Sequence, residues 1–152
     1  MYEKNVADLG LQIPEVAVPV ANYSPFVVKD GWIYVSGQLP SVAGKIAYAG
    51  KVGQDLNEEQ GYQAAQVCAL NCLGALKAAL GSLDRVERIV KINGFVSSAP
   101  DFTGQPKVVN GASDLLAKVF GENGVHARSA VGVAALPLGA CCEVELIAKI
   151  KP

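Results

Sequence analysis

Two side chains in the C-terminal part of the chain could do chemistry on a small acid: Arg128 and Glu143. A guanidinium is planar and always charged. It grips a carboxylate through two parallel hydrogen bonds, which an ammonium cannot do. Arg128 shares a period-two pattern with Ala130, Gly132 and Ala134, small residues that leave room for a ligand beside it. The same arginine could instead form an ion pair across a subunit interface, with Glu143 or Glu145 of another chain. Glu143 could act as a general base or orient a water, roles that contribute about 10²–10⁴-fold. Its plainer alternative is a solvated strand glutamate, which is how Glu145 reads. The single histidine, His126, titrates near neutrality when free. With no partner in the pattern, it reads as a surface residue at the start of a strand. Ser36 and Ser129 have no His–Asp pair to activate them, so nucleophilic serine chemistry is not expected.

The cysteines point away from metal chemistry. Cys68 and Cys72 stand four apart on one helix face, and Cys141 and Cys142 are neighbours in a strand pattern, facing opposite sides. A zinc site would need paired Cys-x-x-Cys spacing or several histidines, so reduced, packed thiols are expected and no metal site.

The elements that must position these residues follow from periodicity. Residues 1–25 read as irregular, broken by Pro14, Pro19 and Pro25, with Glu15–Val20 as a short edge strand or extended arm. Phe26–Lys29 and Trp32–Ser36 flank Asp30-Gly31, a strong hairpin signal. A third short strand is expected in Lys45–Tyr48. Asn57 suits an N-cap ahead of Glu58 and Glu59, and Tyr62–Leu80 carries small and apolar residues at i, i+3, i+4 spacing up to Gly81. Val86–Val96 reads as a strand. Asp101 would cap a second helix whose periodic part is Val108–Phe120. Ser129–Ala135 and Cys141–Ile150 are expected to pair about Leu136-Pro137-Leu138-Gly139, with Cys142, Val144, Leu146, Ala148 and Ile150 facing the helices. The order predicts an α+β domain over 1–152, two helices on one face of a mixed five- or six-stranded sheet, with 1–22 as an irregular extension.

Composition bounds the partners. Hydrophobic residues make up 51% of the 152 residues and charged ones 18%, which fits a packed core and not a disordered chain. The net charge is −1, and no stretch clusters Lys and Arg with aromatics, so a nucleic-acid partner is not expected. No apolar run reaches membrane-spanning length, since Gln66, Asn71 and Lys77 interrupt Ala64–Leu80. Met1–Gly10 has no apolar core of a signal peptide, so a cytoplasmic location is expected.

Several blocks together resemble the Rid, or YjgF-like, family. They are Tyr23-Ser24-Pro25-Phe26, Trp32 through Ser36-Gly37-Gln38-Leu39-Pro40, Val109-Asn110, Ala127-Arg128-Ser129, Leu136-Pro137 and Glu143-Val144-Glu145. The resemblance spans about Tyr23 to Ile150. It implies a chorismate-mutase-like α+β fold and a homotrimer with clefts between subunits. It also implies cofactor-free hydrolysis of 2-imino or enamine acids to 2-keto acids and ammonia. By that resemblance Arg128 binds the carboxylate, Glu143 positions water, Ser36 and Gly37 border the cleft, and Tyr23 or Phe26 supplies an aromatic wall. Ala130 stands where active members carry Cys, beside the arginine, and Asn110 caps its helix or lines the cleft. Phe26 stands where they carry Tyr, and the stretch Ser98–Lys107 is longer.

Three functions compete: deaminase, non-catalytic binder of a small carboxylate, and endoribonuclease, the last disfavoured by charge. If the final strands form a hairpin about Leu138, Arg128 and Glu143 of one chain are offset by five residues, roughly 17 Å. A shared site would then draw them from different subunits.

Overall fold

In the computed structural model, the description covers residues 1–16 and 22–152. Five strands form one mixed sheet in the order β1-β2-β7-β5-β6: β1 is Phe26–Lys29, β2 Trp32–Gln38, β5 Val86–Ser97, β6 Ala127–Val133 and β7 Cys142–Ile150. β1 and β2 form the expected hairpin, with Asp30 and Gly31 both at positive φ (53° and 81°), as a tight two-residue turn requires. A separate two-stranded ribbon pairs β3, Ser41–Val42, with β4, Lys45–Ile46, so the expected third strand is short and stands outside the main sheet.

The long helix α2, Glu58–Leu80, starts with a capping box. Asn57 Oδ1 accepts from the Gln60 backbone N–H at 2.8 Å, and Gln60 Oε1 accepts from the Asn57 N–H at 2.9 Å. Its small residues Ala64, Ala65, Cys68, Ala69 and Cys72 are buried against the sheet. The other long helix, α3, spans Gln105–Phe120. Asp101 does not cap it; the N-cap is Gly104 and Pro106 occupies the first turn, where its missing N–H costs nothing. Both helices cover one sheet face. That face presents Ile33, Val35, Ile89, Ile92, Val96, Val144, Leu146 and Ala148, all buried. The alternation expected in β7 holds throughout Cys142–Ile150. All four cysteines are buried and unpaired in disulfides. Cys141 is the exception to its expected orientation. It precedes the strand, buried, with its N–H on the Tyr48 carbonyl and its own carbonyl taking the Ser97 N–H.

The N-terminus is not irregular. Residues Tyr2–Asp8 form a third helix, α1. It is pinned by long-range contacts invisible to local pattern. The terminal ammonium and the Tyr2 N–H both bind the Asp84 carboxylate at 2.9 Å, Asn5 donates to the Val119 carbonyl at 2.7 Å, and the Tyr2 ring meets Phe120 edge-on. No strand forms at Glu15 or Val16, and the rest of the expected edge strand lies outside the described residues.

The larger correction concerns the last two strands. They do not form a hairpin. β6 pairs in parallel with β5, and β7 pairs antiparallel with β5 on its other side. The link between them crosses the end of β5. It is held there by Ser98 N–H on the Val133 carbonyl, Gly50 N–H on the Gly139 carbonyl, and Lys51 donating to the Ala134 carbonyl. A link that short satisfies a hairpin and a one-strand crossover equally, since the crossover spans only about 10 Å.

Gly111 marks how closely α3 approaches α2: a Cβ there would collide with the Tyr62 backbone carbonyl. Helix propensity alone would make Gly111→Ala stabilising by about 1 kcal/mol. The close approach reverses the sign, with an expected loss of about 1–3 kcal/mol in urea unfolding. A stabilised variant would contradict this packing.

Candidate functional site

The sequence-predicted residues fall into two groups, one about the inner strands β2 and β7 and one on the edge strand β6. The first lies where β2 leaves its ladder with β7. The register shifts between Val35 and Gln38, so Ser36 and Gly37 bulge out. Ser36 is tied to the preceding segment, its N–H on the Pro25 carbonyl at 2.9 Å and its hydroxyl on the Ser24 carbonyl at 2.6 Å. The Glu143 carboxylate occupies the space that a Cβ on Gly37 would need. This close approach is the structural reason for glycine here. Glu143 is half-buried on the sheet face away from the helices, and burial, reinforced by the Glu145 charge, raises its pKa above the ordinary 4.5.

The two candidate aromatics part company. Phe26 pairs with Val35 and packs against the core, whereas Tyr23 is 59% exposed beside the bulge segment. Of the two rings, Tyr23 is the more exposed in the single chain.

The second group sits on the edge strand β6. Arg128 pairs with Ile92, which pairs with Leu146, so its side chain leaves the sheet on the helix side. Its Nη1 donates to Ser113 Oγ at 3.0 Å and its Nη2 to the Pro106 carbonyl at 3.2 Å, both on α3. Ala130 and Gly132 share that side. Their small size admits α3 and the Gln105 side chain; it does not open a bare sheet face. A cavity of about 310 Å³ opens beside Arg128, lined also by Asn110, Ser113, Asp114 and His126. His126 leads into β6, half-buried, with Nε2 2.9 Å from Ser113 Oγ and Nδ1 2.6 Å from the Gly124 carbonyl. Burial and, more weakly, the Arg128 charge lower its pKa below 6.5, against the Gly124 hydrogen bond. Ser113 was not singled out in the sequence. The available signal was its place one turn after Asn110 on the α3 pattern.

Within one chain, Arg128 and Glu143 do not meet. Glu143 pairs with Phe95, which pairs with Val131, three positions beyond Arg128 along β6. Three residues along and two strands across give about 14 Å between their Cα atoms, and the side chains leave opposite faces. The expected separation of the two groups stands, on a different register from the one expected. The open face exposes Val27, Tyr34 and Val131 at 56, 47 and 44%. Among the described residues no cluster of three His, Cys, Asp or Glu side chains is placed to hold a metal ion, and no helix is long and apolar enough to cross a membrane.

Comparison with known proteins places the chain. A family described as "YjgF/chorismate_mutase-like, putative endoribonuclease" matches residues 3–150. Protein TCP17 of Trypanosoma cruzi is 47% identical over 147 residues, covering 96% of this chain and 92% of the relative. A Saccharomyces cerevisiae protein named mitochondrial MMF1 is 32% identical over 128 residues, covering 84% and 74%. The crystal structure of Atu1372, a protein of unknown function from Agrobacterium tumefaciens, superposes with a TM-score of 0.94 at 46% identity, covering 99% of this chain and 92% of that one. The motifs, the fold and these matches agree: the chain belongs to the YjgF/chorismate mutase-like family.

Proposed function

We propose that three copies of this chain close into a ring. At each junction the β6 edge bearing Arg128 of one protomer meets the open face bearing Glu143 of the next, and the shared cleft hydrolyses small 2-imino or enamine acids. The observation that carries this reading is the split site: Arg128 on the edge strand β6 and Glu143 on the central strand β7, with their side chains on opposite faces. Such a pair is brought together by head-to-tail contact, the kind of interface that closes rings. The apolar open face with Tyr34, Val27 and Val131 supports burial against a neighbour.

In this reading Arg128 binds the carboxylate through guanidinium N–H groups not spent on α3, with Asn110 and Ala130 lining that side. Ser36, Gly37 and Tyr23 border the other side. Glu143 takes a proton as water adds to the C=N carbon. It returns that proton to nitrogen and takes the carbinolamine's hydroxyl proton as the C–N bond breaks, giving ketone and ammonia, which leaves as ammonium with that second proton. Its raised pKa brings it nearer the working range of a general base. The chemistry needs no cofactor, because a protonated imine is already an electrophile. A net charge of −1 and the lack of a Lys/Arg cluster in the sequence disfavour an endoribonuclease, which binds a phosphate backbone through basic side chains. A cytoplasmic location is part of the proposal, and the mitochondrial name of one relative makes fractionation its test.

The expected outcome is metal-independent ammonia release from small imino acids, unaffected by chelator, by a particle with the mass of three chains. Glu143→Gln is expected to lower the rate about 10²–10⁴-fold while keeping affinity for the keto acid, and Arg128→Ala to lose that affinity. The rate should rise with pH through the Glu143 pKa, because the carboxylate is the active form. Keto-acid binding without turnover would favour a purely binding role.

In mixtures of Arg128→Ala and Glu143→Ala chains, exchanged trimers should recover part of the activity that each variant lacks. No recovery would contradict the shared cleft.

A further inference from the structure

Beside Arg128 lies a hydrogen-bonded chain that the proposed reaction does not use. His126 Nδ1 is 2.6 Å from the Gly124 carbonyl, which only accepts, so Nδ1 carries a hydrogen. In a neutral ring Nε2 is then a bare acceptor, and at 2.9 Å it takes the Ser113 hydroxyl proton. The Ser113 oxygen in turn accepts from Arg128 Nη1 at 3.0 Å. Direction is fixed along the whole chain, from guanidinium to hydroxyl to imidazole, and each bond polarises the next. The Pro106 carbonyl holds the other terminal nitrogen at 3.2 Å, so the guanidinium plane is fixed at two points on α3.

We propose that Ser113 and neutral His126 are positioning residues that aim Arg128 at the ligand's carboxylate, and that a proton on His126 releases it. This rests on the reading of Arg128 as the carboxylate grip. Once protonated, Nε2 must donate to Ser113 Oγ. Two cations then converge on one oxygen, the hydroxyl proton loses its acceptor, and repulsion drives the guanidinium off α3. Burial and the Arg128 charge already oppose that proton.

The other charged and titratable groups around the imidazole do not hold Arg128 in its place. Asp114, on the cavity wall, is engaged by the Tyr62 hydroxyl at 2.7 Å. Arg88 reaches the Val125 carbonyl at 2.8 Å, Lys91 pairs with Ala127 on the neighbouring strand, and Glu122 lies in the turn before His126.

The test measures binding of 2-oxobutanoate across pH, in the Glu143→Gln background so that only one site group titrates. The ligand stays ionised throughout, its carboxyl belonging to a class that titrates at or below about 3.5. Affinity is expected to be constant above neutrality and to fall about tenfold by one unit below the His126 pKa, the dependence expected of single-proton linkage. His126→Gln keeps an acceptor that no proton can switch, so its affinity should be flat from about pH 5.5 to 7.5. Ser113→Ala should bind about tenfold more weakly at pH 7, and Ser113→Thr should restore binding.

The sole histidine gives an unambiguous NMR titration. By reciprocity, saturating 2-oxobutanoate must lower the His126 pKa. An anion that merely sat nearby would raise it. A raised or unmoved His126 pKa, or wild-type binding by Ser113→Ala where Arg128→Ala has lost it, overturns the relay alone. Wild-type binding by Arg128→Ala would instead remove the carboxylate grip, and the relay with it.

Discussion

The site depends on where β5 sits. This strand, Val86–Ser97, takes β7 on one side and β6 on the other, antiparallel and parallel respectively. Pairing fixes both register and face, because side chains alternate strictly along a strand. Arg128 therefore projects toward α3 and Glu143 toward the open face, three rows and two strands apart. In the proposed reading, the cleft that uses both is assembled from two copies of the sheet.

The same arrangement explains the unequal treatment of the sheet's faces. The helix side holds Ile33, Ile89, Ile92, Leu146 and the small face of α2, and it is closed. Gly94 and Gly111 let the helices come near enough to close it: a Cβ on Gly94 would strike Val109, and one on Gly111 the α2 backbone. The other side keeps polar and apolar residues mixed, with Tyr34 and Val131 exposed beside half-buried Glu143. Such a face suits contact with a second chain better than solvent. Glu143 remains half-buried at its end, which is how a carboxylate comes to hold a proton more firmly than usual.

Much of this was legible in the residues. Asn57 and the i, i+4 pattern through Leu80 located α2, the Asp30-Gly31 pair located the first hairpin, and alternation over Cys142–Ile150 separated the two faces of β7. These signals are local. What escaped was set at long range. α1 has too few residues to declare itself, and it is held by Asp84, Val119 and Phe120, all far along the chain. β6 and β7 looked like a hairpin because nothing in Ala134–Cys141 records that β5 passes between them. The site showed the same division. Arg128 and Glu143 stood out by type and motif, whereas Ser113 and His126 mattered only once α3 was laid against the start of β6.

The central claim is that one cleft is built from two protomers. A crystal structure of the assembled protein with 2-oxobutanoate bound tests it most directly. Arg128 of one protomer is expected on the ligand's carboxylate, with Glu143 of its neighbour within about one water's reach of the keto carbon. A ligand touched by Arg128 and Glu143 of the same chain, or one that leaves either residue out, would contradict it.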